Sequence, residues 1–280
     1  MSQPSSPSPA SDPCARRAGR ATVVGTDGSQ VTVAWAAATE TGLVRANNQD
    51  SYWAGSPVFV VADGMGGHSA GEVASRAVTN RFEELAADGF AEPEAIGEAL
   101  LKAVEDIRHA AEVGPDAGID AGTGTTVTGI ALCERDGAPE WVVFNIGDSR
   151  VYLWRDDALL QVTTDHSVVQ ELVATGKITP AEAEVHPYGN VITRAVGFSE
   201  EPRADYYALP VLAGTRLLIC SDGLSKELTA HGLAHFLSNN DTADAAVEAL
   251  VQAALENGGR DNVTVIVIDV LDVTSSSVTS

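Results

Sequence analysis

Two apolar, β-branched runs, Trp141–Ile146 and Val151–Trp154, are separated by only four residues. Parallel neighbours in a sheet need a crossover of about a dozen residues or more, so a link this short predicts an antiparallel pair. Further runs of the same kind are Val31–Ala37, Val58–Ala62, Thr125–Leu132, Arg216–Cys220 and Val263–Val270. Helical patterns interleave with them. Ala74, Val78, Phe82 and Leu85 form one apolar face over Gly71–Ala87. Ile96, Leu100, Val104, Ile107 and Ala111 form another over Pro93–Val113, which Gly114–Pro115 stops. A third helix is predicted from near Asp241 through Val247, Leu250 and Ala254 to Gly258–Gly259. The expected class is α+β, with antiparallel sheets and helices grouped outside them.

Hydrophobic residues make up 44% of the 280, enough for a sizeable core, but aromatics only 5%. Val, Leu, Ile and Ala must therefore fill most of it. Residues 1–22 are rich in Ser and Pro and read as a disordered tail, 30–272 as one domain, and 273–280 as a flexible C-terminus. The formal net charge of −22 argues against nucleic acid and against an anionic membrane surface as partners. It would also repel a phosphorylated substrate, so a phosphate ligand requires a local reversal of sign. No apolar stretch reaches about 18 residues, and the start, MSQPSSPSPASDP, lacks the apolar region of a secretory signal. Cys14, Cys133 and Cys220 are odd in number and lack zinc-like spacing, as expected of reduced thiols. A cytoplasmic location is the expectation.

The chemistry is marked by aspartates. Asp63 ends VFVVADG, Asp148 ends WVVFNIGD, Asp222 ends RLLICSD, and Asp261 begins DNVTVIVID. A single Asp-Gly after a strand is usually a turn. Four acids at the mouths of four strands are different: if those strands lie in facing sheets, their ends converge. Converging carboxylates repel one another and lose hydration, an arrangement that makes sense when cations supply the missing charge. With no histidine–cysteine cluster beside them, the oxygen ligands suit Mg²⁺ or Mn²⁺ rather than zinc.

These acids lie within longer strings. In order they are Gly42-Leu-Val-Arg-Ala-Asn-Asn-Gln-Asp50, Ala62-Asp-Gly-Met-Gly-Gly-His68, Gly122-Thr-Gly-Thr-Thr126, Ile146-Gly-Asp-Ser-Arg150, Ser221-Asp-Gly-Leu224 and Arg260-Asp-Asn-Val-Thr264. The ordered set resembles the bacterial branch of the protein phosphatase 2C (PPM) family of metal-dependent serine/threonine phosphatases, over about residues 30–272. The resemblance implies a four-layer αββα fold, a sandwich of two antiparallel β-sheets flanked by α-helices. It implies hydrolysis of phosphoserine and phosphothreonine in proteins by a hydroxide bridging two Mn²⁺ or Mg²⁺ ions, with a third, weaker ion in bacterial relatives. Asp63 resembles the bridging ligand, and Gly64 would offer its carbonyl. Asp222 and Asp261 would complete the pair, and Asp148 would share the third ion with Asp222. Arg45 matches the arginine that grips the substrate phosphate, a task suited to its forked guanidinium. Gln49, Asp50 and Asn262 would stand just behind the ligands. The implied partners are phosphorylated proteins and a cognate serine/threonine kinase.

Two departures carry weight. Gln49 stands where some relatives have Glu, which makes the site less negative. Met65 stands where chiefly eukaryotic relatives have a proton-donating histidine. His68 is either a substitute acid or a helix cap or packing group. The residues around Asp165–His166 and Thr179–Arg194 resemble the mobile flap of bacterial members, although Thr179–Pro180 also reads as an ordinary helix start. His109, His231 and His235 lack ligand spacing and read as surface residues. Two other readings remain: a phosphatase dedicated to one small phosphoprotein, such as an anti-sigma-factor antagonist, and a non-catalytic binding module.

Overall fold

The computed structural model describes residues 16–66, 69–86, 89–113 and 122–274. The chain begins with strands β1 (Arg16–Val24), β2 (Gln30–Glu40), β3 (Asp50–Gly55) and β4 (Val58–Met65), then helices α1 (Ala70–Glu83) and α2 (Pro93–Val113). Strands β5 (Gly124–Thr125), β6 (Val127–Arg135), β7 (Ala138–Ile146), β8 (Arg150–Arg155) and β9 (Ala158–Gln161) follow, then short helices α3 (Val168–Ala174) and α4 (Pro180–Ala183). The remainder is β10 (Asp205–Pro210), β11 (Arg216–Cys220), α5 (Asp222–Ser225), α6 (Ala230–Asn239), α7 (Ala243–Glu256) and β12 (Val263–Thr274).

The strands form two sheets, ordered β1-β2-β12-β11-β8-β9 and β10-β7-β6-β4-β3, with β5 added beside β4. Every strand pair is antiparallel. Successive side chains on a strand point to opposite faces, and here both faces are covered. On β4, Phe59 and Val61 enter the core between the sheets, while Val58, Val60 and Ala62 meet α1 and α2. On β12, Ile266 and Ile268 point inward, while Val263, Val265 and Val267 meet residues of α6 and α7. This double burial explains why the strands read as continuous apolar runs rather than alternating ones. It also gives the expected order of layers, helix–sheet–sheet–helix.

Two expectations are corrected. β7 and β8 do not pair with each other: β7 lies between β6 and β10 in one sheet, and β8 between β11 and β9 in the other. The four-residue link is an arch between sheets. Gly147 makes it possible with a φ of 113°, where a Cβ would stand 2.6 Å from the Thr126 side chain. The second correction is the start of the ordered domain, expected at residue 30. Residues Arg16 to Val24, partly inside the expected tail, form β1 and pair with β2 along its whole length. A polar edge strand needs few large apolar residues. The face of β1 is instead covered by Trp35 against Gly19 and by Trp53, whose ring lies 4.6 Å from the Arg17 guanidinium. Residues 1–15 and 275–280, with Cys14, lie outside the described residues, as does His68.

Candidate active site

The sheets deliver their acids to one end of the sandwich. Asp63, near the end of β4, and Asp148, in the β7–β8 arch, come from one side; Asp222, the first residue of α5 after β11, and Asp261, two residues before β12, come from the other. Asp50 opens β3 directly opposite Asp63. Burial first, then the negative charges of Asp50, Asp222, Asp148 and Asp261, hold the Asp63 carboxyl well above its usual pKa. Burial also pushes Asp50 and Asp148 upward, and Asp222 adds to both. Four other carboxyls thus lie near enough to act on Asp63, and Asp50 faces it across the β3–β4 pair.

The backbone around these acids is tightly fixed. The Asp63 N–H donates to Thr126 Oγ1 (3.0 Å), and its carbonyl accepts from Thr126 N–H (2.8 Å) and Thr125 Oγ1 (2.9 Å). At Gly64 a Cβ would stand 2.1 Å from the Gly71 carbonyl oxygen, so a side chain cannot be accommodated there. Asn262 stitches the Arg45 loop to β12: its Nδ2 donates to Thr41 O and Asn47 O (2.9 Å each), and its Oδ1 accepts from Gln49 N–H (2.9 Å). Gln49 Nε2 turns toward Gly66 O (3.4 Å). Thr264 Oγ1 donates to Asp50 Oδ2 (2.7 Å), which ties the buried Asp50 to β12.

Two carboxylates are engaged by cations of the chain itself. Arg45 donates to Asp261 Oδ2 (2.7 Å), which raises its pKa, helped by Asp63 and Asp222. Lys226 pairs with Asp222 Oδ2. Among the described residues no three acidic, histidine or cysteine side chains are drawn into a closed metal cage. Asp222 Oδ1, however, is buried without a hydrogen-bond partner. A buried carboxylate oxygen left in this way calls for a cation. The donors are carboxylates and carbonyls, so the residues fit hard divalent ions.

The sequence pattern of the protein phosphatase 2C family matches residues 43–262. The chain belongs to this family. The serine/threonine protein phosphatase PstP of Mycobacterium tuberculosis is 42% identical over 245 residues, covering 85% of this chain and 45% of that protein. This chain thus spans less than half the length of that relative. The serine/threonine phosphatase stp of Listeria innocua is 32% identical over 241 residues, covering 82% of this chain and 93% of that one. The crystal structure of M. tuberculosis PstP/Ppp superposes with a TM-score of 0.77 at 39% identity, covering 86% of this chain and all of that one. The structure of the PstP catalytic domain in complex with two manganese ions superposes with a TM-score of 0.74 at 40% identity, covering 86% of this chain and 99% of that one. The four-layer fold is that of the family.

Within the family fold, three parts of the site acquire roles that the sequence did not assign. Thr125 and Thr126, in one of the strings that carry the resemblance, clasp Asp63. Lys226 meets Asp222 one helical turn away. His166 supports the arch that carries Asp148: its Nδ1 accepts from Gly147 N–H (3.1 Å), and its Nε2 lies 3.1 Å from Asp205 Oδ2. His166 is buried next to Asp165, which holds Arg150 with three hydrogen bonds. His109, His231 and His235 are exposed and remote from this cluster, on α2 and α6. Cys133 and Cys220 are free and buried.

Proposed function

We propose that this chain hydrolyses phosphoserine and phosphothreonine in proteins with the help of two divalent cations. The observation that supports this most strongly is the convergence of Asp50, Asp148, Asp222 and Asp261 on Asp63, together with the unpartnered Asp222 Oδ1. The names of the relatives and the two manganese ions of the PstP structure support the same reading.

Mn²⁺ or Mg²⁺, when bound, lowers the pKa of water and draws in an anionic phosphate that the net charge of −22 would repel. Asp63 would hold both ions, with the Gly64 carbonyl, Asp222 and Asp261 completing the set. Asp148 and Asp222 would share a third, weaker one. Arg45, with half of its side chain exposed beside Asp261, binds the substrate phosphate through its forked guanidinium. Asn262 keeps the Arg45 loop in register with Asp261, and Thr264 keeps Asp50 oriented behind Asp63. Met65 carries no proton to give, so the leaving alcohol takes its proton from elsewhere. Phosphorylated proteins are the substrates, and a cognate serine/threonine kinase fits the same role. No helix among the described residues is long and apolar enough to cross a membrane.

The test is hydrolysis of a phosphothreonine peptide after EDTA treatment, with and without added Mn²⁺. Activity lost in chelator and restored by the ion supports the proposal. Full activity in chelator contradicts it.

A further inference from the structure

Asp222 divides its two oxygens. Oδ2 is paired with the Lys226 ammonium, and Oδ1 is buried with no partner, facing the need for a cation. Lys226 is held in place by more than this pair. It caps α5, and its backbone N–H donates to the Asp222 carbonyl (2.8 Å), so its side chain springs from a point fixed relative to Asp222. The Lys226 charge also acts on Asp148 and on Asp63. Its side chain is 41% exposed while that of Asp222 is 13% exposed, so the ammonium stands at the mouth of the acidic cluster rather than beneath it.

We propose that Lys226 is a tethered cation that takes the Asp222–Asp148 side of the site and so governs how many divalent ions the protein holds. The inference rests on the two-ion reading above and adds a role for a residue outside the expected ligand set. An ion shared by Asp148 and Asp222 must enter beside an ammonium already paired with one of those carboxylates. Like charges at such short range repel strongly in a partly dry site. The core pair is affected less: Lys226 makes its ion pair with Asp222 Oδ2, leaves Asp222 Oδ1 open, and acts on Asp63 through its charge alone. The lysine thus supplies a fixed positive charge at this position, and a third ion binds only by displacing it.

The experiment counts ions. Mn²⁺ is titrated into the full chain by calorimetry, for wild type, Lys226→Gln, Lys226→Arg and Lys226→Gln with Asp148→Asn. The expected result is two ions in wild type, with any third weak. Lys226→Gln should bind the third at least about tenfold more tightly, equivalent to about 1.4 kcal/mol. Lys226→Arg should behave as wild type, and the added Asp148→Asn should abolish the gain. Circular dichroism establishes that each variant is folded. A folded Lys226→Gln whose ion number and affinities match wild type overturns the inference while leaving the two-ion reading intact. A gain that survives Asp148→Asn also overturns it, because the ion would then lie elsewhere. A wild-type protein that binds no Mn²⁺ refutes the two-ion reading itself, and the inference with it.

Discussion

The two flanks of the acidic cluster are built differently. On the Arg45 side, residues 41–66 are stitched down by Asn262, Gln49 and Ser75, whose Oγ donates to Gln49 O (2.6 Å). On the other side, residues 166–196 are pinned at their ends and little between. Thr193 N–H donates to His166 O (2.7 Å), and Val196 pairs with Thr125. Helices α3 and α4 between these points bury no residue, and Val185 and Tyr188 stand 85% and 58% exposed. A cavity of about 480 Å³ opens at the base of this segment, lined in part by Arg194, Phe198 and Arg203. The acids sit on clamped strand ends, whereas the segment that carries α3 and α4 is held by few packing constraints.

Substitutions should separate the two flanks, beginning with the largest effect. Asp63→Asn should lower kcat by about a hundredfold or more, on the scale of losing a preorganised electrostatic group, while the protein stays folded. Phosphopeptide turnover measures it; a near-normal kcat would remove Asp63 from the centre of the site. Arg45→Ala should raise KM for phosphopeptides by about tenfold to a hundredfold, the worth of a charge-assisted hydrogen bond, with Mn²⁺ affinity little changed. A loss confined to ion binding would instead make Arg45 a partner of Asp261 alone. Asn262→Ala deletes two donors and an acceptor at a buried position, and should cost about 2 kcal/mol in denaturant unfolding. Smallest of all, Val185→Ser and Tyr188→Ser should each shift stability by less than about 0.5 kcal/mol, because both side chains are largely exposed. A large loss there would show that the exposed segment is structural after all.

The contrast also marks what the sequence could and could not reveal. Asp63, Asp148, Asp222 and Asp261 were legible because each follows or precedes an apolar run buried on both faces, with glycine beside three of them. Helix α2 was legible to the residue, since its apolar stripe is long and bounded by Pro93 and Gly114–Pro115. Strand β1 was not, because its register depends on β2 and its cover on Trp35 and Trp53 rather than on its own apolar residues. The β7–β8 arch was misread because a short link fixes proximity but not which edge each strand offers; those edges are taken by β6 and β10 and by β11 and β9. The contacts of Thr126 and His166, both in segments already noted, and of Lys226 were not legible for a similar reason. Thr126 meets Asp63 at a separation of 63 residues, and His166 meets Gly147 at 19. Lys226 is local to Asp222, but a lysine four residues after an acid is commonplace on a helix.

The convergence of carboxylates can be measured without substrate, by thermal unfolding of wild type and Asp63→Asn in chelator. Because the folded protein holds Asp63, Asp50 and Asp148 at raised pKa values, it keeps protons that the unfolded chain releases. That contribution is absent below the ordinary carboxylate range and turns against folding as pH climbs through the raised values. In chelator, at one pH in the ordinary carboxylate range and one well above it, wild type should therefore be the more destabilised by the rise in pH, so that the difference shifts in favour of Asp63→Asn. Added Mn²⁺ should reverse the order, stabilising wild type well beyond Asp63→Asn. Melting temperatures that differ by the same amount at both pH values, with and without Mn²⁺, would contradict a site in which these carboxylates converge to hold cations.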